Sequence, residues 1–219
     1  HIDYSATQNA GEDLRFVEPG GTLLAYEIEQ WNESGYSYVW VKVPQIDAGS
    51  TTDSIFMYYG NSTAVAAQNA SAVWNASDVA VFHMNANSSD STSYANDGSP
   101  ASVLASTGQV ARSGTFDGLN SSINAHSAAS VDNLFAGGGT ISAWINPVSW
   151  GEGGYGRIAD KGTTTSGAQG WGFQVAVTIA ADGYLIFESD FTTNTGRWRT
   201  VAGSVTQGVW HNVVVVYDN

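Results

Sequence analysis

The stretch Leu23-Leu24-Ala25-Tyr26-Glu27-Ile28-Glu29 alternates apolar and polar side chains from Leu24 onward, the period of a strand with one buried face. Tyr36-Ser37-Tyr38-Val39-Trp40-Val41-Lys42-Val43 repeats that pattern and stops at Pro44, which has no N–H to give to a sheet ladder. Ser54-Ile55-Phe56-Met57-Tyr58-Tyr59 reads as a buried strand closed by Gly60-Asn61. Working outward, further strands are expected at 78–84, 109–116, 139–146, 156–160, 171–179, 183–188, 196–202 and 209–217. Clusters of Gly, Asn, Asp and Ser separate them, and Ala181-Asp182-Gly183-Tyr184 carries the chemistry of a hairpin turn. Helical pattern is confined to 62–74 and 127–135. Short strands at regular spacing with few helices predict an all-β fold of antiparallel β-sandwiches.

The 219 residues suffice for one large β domain, or for one module and part of another. Seven Lys and Arg against 20 Asp and Glu give a net charge of −13, which disfavours nucleic acid or an anionic membrane as partner, since both require a basic footprint. Only 12% of residues are charged, so solubility rests on Ser, Thr, Asn, Gln and Gly. With no Cys there are no disulfides, thiolate metal sites or Cys nucleophiles. No apolar run is long enough to span a bilayer, so no direct membrane insertion is expected.

The composition shifts near Trp74-Asn75-Ala76-Ser77, where Tyr- and Trp-rich strands give way to Val79-Ala80-Val81-Phe82-His83 and a Ser/Asn/Asp-rich loop at 85–99. This places a boundary at 74–78, dividing the chain into 1–76 and 77–219. The blocks Asp13-Leu14-Arg15-Phe16, Leu24 to Glu29, Val39-Trp40-Val41-Lys42-Val43-Pro44 and Met57-Tyr58-Tyr59-Gly60-Asn61 resemble the DUF2341 domain of bacterial and archaeal surface proteins. Phe82-His83-Met84, Asp90-Ser91-Thr92 through Asn96-Asp97-Gly98, Thr115-Phe116-Asp117-Gly118, Thr140 to Ile145, Asp160-Lys161-Gly162 and Trp210-His211-Asn212-Val213 through Tyr217-Asp218 resemble a concanavalin A-like/laminin G-like sandwich, a jelly roll. The resemblances imply modules incomplete at the N-terminal and C-terminal ends respectively. Either the chain is a fragment, or strands of a partner chain complete its sheets.

The loop Asp90-Ser91-Thr92-Ser93-Tyr94-Ala95-Asn96-Asp97-Gly98 concentrates oxygen donors, and Asp117-Gly118 follows. Resemblance to calcium-binding laminin G-like domains makes Asp90, Asn96, Asp97 and Asp117 the candidate Ca2+ ligands. Turn chemistry accounts for the same residues, and both readings stand. Trp150, Tyr155, Trp171 and Trp198 lie in Gly- and Thr-rich surroundings, where an exposed ring offers a flat face to a pyranose. Trp144 and Trp210 are assigned to the core.

The sandwich also hosts laminarinase-type hydrolases, but their Glu-x-Asp-x-x-Glu strand does not occur in this chain. Glu27 and Glu29 share a strand side and read as a solvated face, and Glu188-Ser189-Asp190 lacks the following Glu. Gly151-Glu152-Gly153-Gly154-Tyr155-Gly156 has no strand–turn–helix context for a dinucleotide. His83 and His211 read as structural. Asn32, Asn61, Asn69, Asn75, Asn87 and Asn120 each begin a glycosylation sequon. The reading these features favour is a non-catalytic extracellular or cell-surface module that binds glycans or mediates adhesion. The alternative is a structural subunit of a surface layer or filament, completed by pairing with neighbouring copies or other segments of the same protein.

Overall fold

The computed structural model describes all residues except His1, Ala86, 163–169, 178–182, 191–194 and Asn219. Two compact units emerge, one built from residues 1–99, 105–114 and 124–126, the other from 100–104, 115–123 and 127–219. Antiparallel strands dominate both, and the α-helices α1 (Ala70–Val73) and α2 (Ala129–Asp132) are single turns.

In the first unit, β1 (Arg15–Val17) lies between β2 (Leu23–Leu24) and a later edge strand, while β3 (Tyr26–Gln30) pairs with β4 (Tyr38–Val41). The edge strand is β5 (Phe56–Tyr58). The four sequence blocks therefore meet in pairs: Phe16 lies opposite Met57, and Ile28 opposite Val39. Alternation along β1 to β4 turns Leu14, Phe16, Leu24 and Tyr26 inward, against Ile2, Ile28, Trp31, Val39, Val41 and Tyr59. Tyr26 is 2% exposed, and its hydroxyl donates to the Leu14 carbonyl at 2.8 Å. Asp13 ties the first block to the last, since its carboxylate accepts the N–H groups of Gln8 (2.9 Å) and Gly60 (2.6 Å). Burial works to raise the Asp13 pKa, but these donors outweigh it and hold the group below its ordinary value. Its contribution to stability is therefore present above the ordinary Asp range and lost as pH falls through the folded-state value. Asp13→Asn is expected to lower first-unit stability by about 1–3 kcal/mol at neutral pH and to remove part of the acid limb in urea titrations between pH 2 and 7.

Three expectations are corrected here. β5 is not buried: Phe56, Met57 and Tyr58 are 47%, 40% and 57% exposed, on an edge strand of the sheet. The strand expected at 78–84 is reduced to a single bridge between Phe82 and Asp90, because the Asp90 side chain takes the Val81 N–H. The short helical pieces expected within 62–74 and 127–135 do form, as the single turns α1 and α2. Residues 77–99, read from composition as the start of the second module, pack with the first unit.

Between the larger elements run β6 (Ser99–Ala101), β7 (Leu104–Thr107), β8 (Arg112–Thr115) and β9 (Ser122–Asn124), paired β6–β9 and β7–β8. The second unit is a sandwich. One layer is β10 (Gly139–Ile145) with a late strand; the other contains β11 (Tyr155–Lys161), β12 (Trp171–Ala176), β13 (Tyr184–Asp190) and β14 (Thr195–Arg199), in that order. The late strand is β15 (His211–Tyr217), in register from Gly139–Tyr217 to Ile145–His211. Phe135, Phe173, Phe187 and Val213 fill the core, with Ile141, Ala143, Ile145, Val215 and Tyr217 packed around them. The turn expected at 181–184 falls partly outside the described residues; β12 and β13 on either side are antiparallel, with Ala176 opposite Tyr184. Trp144, expected in the core, is 48% exposed. It is out of phase with Ile141, Ala143 and Ile145, so it turns away from the sandwich.

Candidate functional site

In antiparallel sheets, directly opposed residues point to the same side. Across β11–β14 this gives an inner side, holding Phe173, Phe187 and Trp198, and a second side on which polar groups adjoin a buried cluster of Ala176, Tyr184 and Ile186, called the outer side below. Asp160, Gly172, Glu188 and Arg197 form one outer row, and Arg157, Gln174, Ile186 and Arg199 the next. Glu188 holds Arg197 at 2.7 Å, and the Arg199 guanidinium lies 5.6 Å over the Tyr184 ring. Three of the chain's seven basic side chains thus share this side. At its middle, no atom of the described residues lies within 4 Å of where a Cβ on Gly172 would stand. Around Gly172 the outer side is therefore rimmed by donors and acceptors of both charges, while Ala176, Tyr184 and Ile186 farther along it are buried.

The four aromatic residues singled out in the sequence are not brought together. Tyr155, 45% exposed, shares the outer side with Ala176 and Tyr184. Trp198, 48% exposed, sits on the opposite edge strand and the inner side, stacked on Phe187 at 5.9 Å. Trp171 is half-buried and meets Phe135 edge-on at 5.2 Å, its buried Nε1 finding no hydrogen-bond partner among the described residues. The Trp150 ring lies against Gly183, its Cζ3 2.6 Å from where a Cβ would be.

Of the four oxygen-bearing candidates, three belong to one knot. Asp90 Oδ1 accepts the N–H groups of Val81 and Thr92, both at 2.9 Å, while Oδ2 accepts the Thr92 hydroxyl at 2.8 Å and the Asn96 N–H at 2.9 Å. Asp97 Oδ1 accepts the Asp90 N–H at 2.9 Å, and Asn96 Nδ2 donates to the Val79 carbonyl at 2.7 Å. Asp117 lies in the second unit, where Oδ1 accepts the N–H groups of Leu119, Asn120 and Ser121. These donors, Leu119 foremost, hold its carboxyl well below the usual carboxylate range. Among the described residues, no three His, Cys, Asp or Glu side chains are grouped to hold a metal ion.

Sequence reasoning missed a buried charged cluster in the first unit. Glu27 and Glu29 are not solvated: their side chains are 11% and 3% exposed. His83 lies between them, Nε2 3.2 Å from Glu27 Oε2 and Nδ1 3.3 Å from Glu29 Oε2. Its ring stacks on Trp40 at 5.7 Å, with Trp74 at 6.0 Å. Trp40 Nε1 donates to Glu29 at 2.6 Å, Trp74 Nε1 to Glu27 at 3.1 Å, and the Ser91 hydroxyl to Glu27 at 2.5 Å. Burial works to lower the His83 pKa, but the two carboxylates dominate and raise it to about 9. Burial likewise works to raise the Glu27 pKa, and His83, Ser91 and Trp74 overcome it to hold it low. The available signal was the pair of carboxylates on one side of a strand, with Trp40 on the strand beside them.

All six sequon asparagines are exposed. Asn32, Asn61, Asn75 and Asn87 each accept the N–H of the Ser or Thr two residues on, and Asn69 accepts the Ser71 hydroxyl.

The model of a domain of unknown function, DUF2341, matches residues 10–125, and that of the concanavalin A-like lectin/glucanases superfamily matches residues 117–219. No curated protein and no solved structure matches the chain. The first match spans over half of the 219 residues, covering all four paired blocks and the His83 cluster, and the second covers the sandwich. The chain thus belongs to the DUF2341 family and carries a concanavalin A-like domain behind its DUF2341 domain.

Proposed function

We propose that the chain is a non-catalytic carbohydrate-binding module of an extracellular or cell-surface protein, with the outer side of β11–β14 facing the sugar. The observation that carries this reading is the lectin/glucanase superfamily match over residues 117–219. The rows of that sheet supply what sugar hydroxyls require: guanidinium donors at Arg157 and Arg197, an amide at Gln174, and carboxylates at Asp160 and Glu188. Tyr155 adds an exposed ring on the same side.

A glycan array probed with the whole chain tests the proposal, and Gly172→Leu locates the surface. Because nothing among the described residues lies within 4 Å of the added Cβ, the variant is expected to keep its thermal midpoint. It fills the floor between Asp160 and Glu188, so glycan affinity is expected to fall by about tenfold or more, a loss of about 1.4 kcal/mol. Capture of no glycan by the wild type, with or without calcium, overturns the reading. A chelator arm tests the calcium expectation: loss of capture in chelator, restored by Ca2+, supports it.

A second reading, a structural subunit completed by neighbouring chains, is favoured by the outward face of β10–β15. There Trp144, Val214 and Val216 are 48%, 48% and 70% exposed. Concentration-dependent self-association in sedimentation velocity supports it, and a stable monomer overturns it.

A further inference from the structure

The geometry points to a protonation-dependent latch: the His83 imidazolium, held between Glu27 and Glu29 and stacked on Trp40, fastens the segment 79–98 onto the β3–β4 hairpin and lets it go when the ring loses a proton. The argument starts from donor counting. A neutral imidazole has one N–H and one lone pair, whereas an imidazolium has an N–H on each nitrogen. Both His83 nitrogens face carboxylate oxygens, at 3.2 Å and 3.3 Å, so only the imidazolium suits both sides. The neutral ring would aim a lone pair at one of the two carboxylates. The stack on Trp40, 27° from parallel, is also stronger for a cation.

Among the described residues, no other charged group stands in for the lost proton. From β3 the facing groups are Glu27 and Glu29, and β4 contributes Trp40. Lys42, just beyond β4, spends its ammonium on the Ala72 carbonyl at 3.3 Å. The C-cap of α1 contributes Trp74, which does not titrate in this range. From the segment itself come Ser91, bound to Glu27, and Asp90, whose oxygens are taken by Val81, Thr92 and Asn96. Deprotonation therefore leaves two carboxylates, 11% and 3% exposed, around a neutral ring, an arrangement with a large desolvation cost. Among the described residues, the Ser91–Glu27 bond also ties the segment to the hairpin, and Tyr94 donates to the Ala76 carbonyl outside it.

Hydrogen exchange by mass spectrometry on the whole chain, from pH 6 to 10 and corrected for intrinsic rates, tests the latch. A folded-state His83 pKa of about 9, raised from 6.5, means the latch is fully engaged below 6.5 and lost as pH rises through 9. Protection of residues 79–98 is expected to fall about tenfold between pH 8 and 10, while the sandwich strands keep theirs. His83→Gln is expected to show low protection with no step. Glu29→Gln, which keeps a hydrogen-bonding side chain, is expected to move the step to lower pH. Flat wild-type protection across the range, or an unchanged step in either variant, overturns the proposal. The wild-type series alone decides the matter should His83→Gln not fold.

Discussion

Asp90→Ala is expected to destabilise the first unit by about 3–5 kcal/mol, the range in which removal of a buried, multiply bonded polar group falls. The carboxylate is 9% exposed and accepts four bonds, three from backbone N–H groups and one from the Thr92 hydroxyl. Thr92 and Asn96 are themselves 4% and 8% exposed, so the orphaned donors have little access to water. Asp90→Asn separates the terms. Its carbonyl oxygen keeps two of the bonds, but its amide confronts either two backbone N–H groups or one N–H and a hydroxyl, so about half the loss is expected to return. Urea denaturation read at the tryptophans measures both variants. Equal losses for Ala and Asn would mean that the charge, rather than the acceptor geometry, holds the loop.

Much of the strand framework was readable because it follows period two. Leu24, Tyr26 and Ile28 do face the first core, and Ile141, Ala143 and Ile145 face the second. Period alone, however, says which residues share a side, not which side is wet. Glu27 and Glu29 fell on the side that alternation assigns to water, yet His83, Trp40 and Trp74 arrive from elsewhere in the chain to cover them. Trp144 shows the converse, an aromatic residue on a half-apolar strand that faces outward because its neighbours claim the core. The 79–83 run failed as a strand for a third reason: a carboxylate nine residues beyond Val81 competes for its backbone donor, a contact no local window contains. The outer rows of β11–β14 were equally invisible. Asp160, Gly172, Glu188 and Arg197 acquire meaning only through register across four strands, and a lone glycine in a strand reads as a weakness before it reads as a floor.

Gly183→Ala is expected to destabilise the second unit by about 2–4 kcal/mol, the scale of overpacking against atoms that cannot easily give way. A Cβ there would stand well inside van der Waals contact of both the Val205 carbonyl and the Trp150 ring. The carbonyl cannot swing aside cheaply, because Val205 donates its N–H to the Gly183 carbonyl at 3.0 Å and its side chain is 2% exposed. The Trp150 collision, by contrast, is with a side-chain ring rather than with backbone. A double-mutant cycle with Trp150→Leu therefore divides the two collisions. Relief of only part of the Gly183→Ala loss is expected, with the carbonyl collision remaining. Near-ultraviolet circular dichroism and calorimetric midpoints read the two effects separately. An unchanged midpoint in the single variant would mean that the start of β13 shifts freely, and the outer rows it helps to hold in register would then lose the rigidity a binding surface requires.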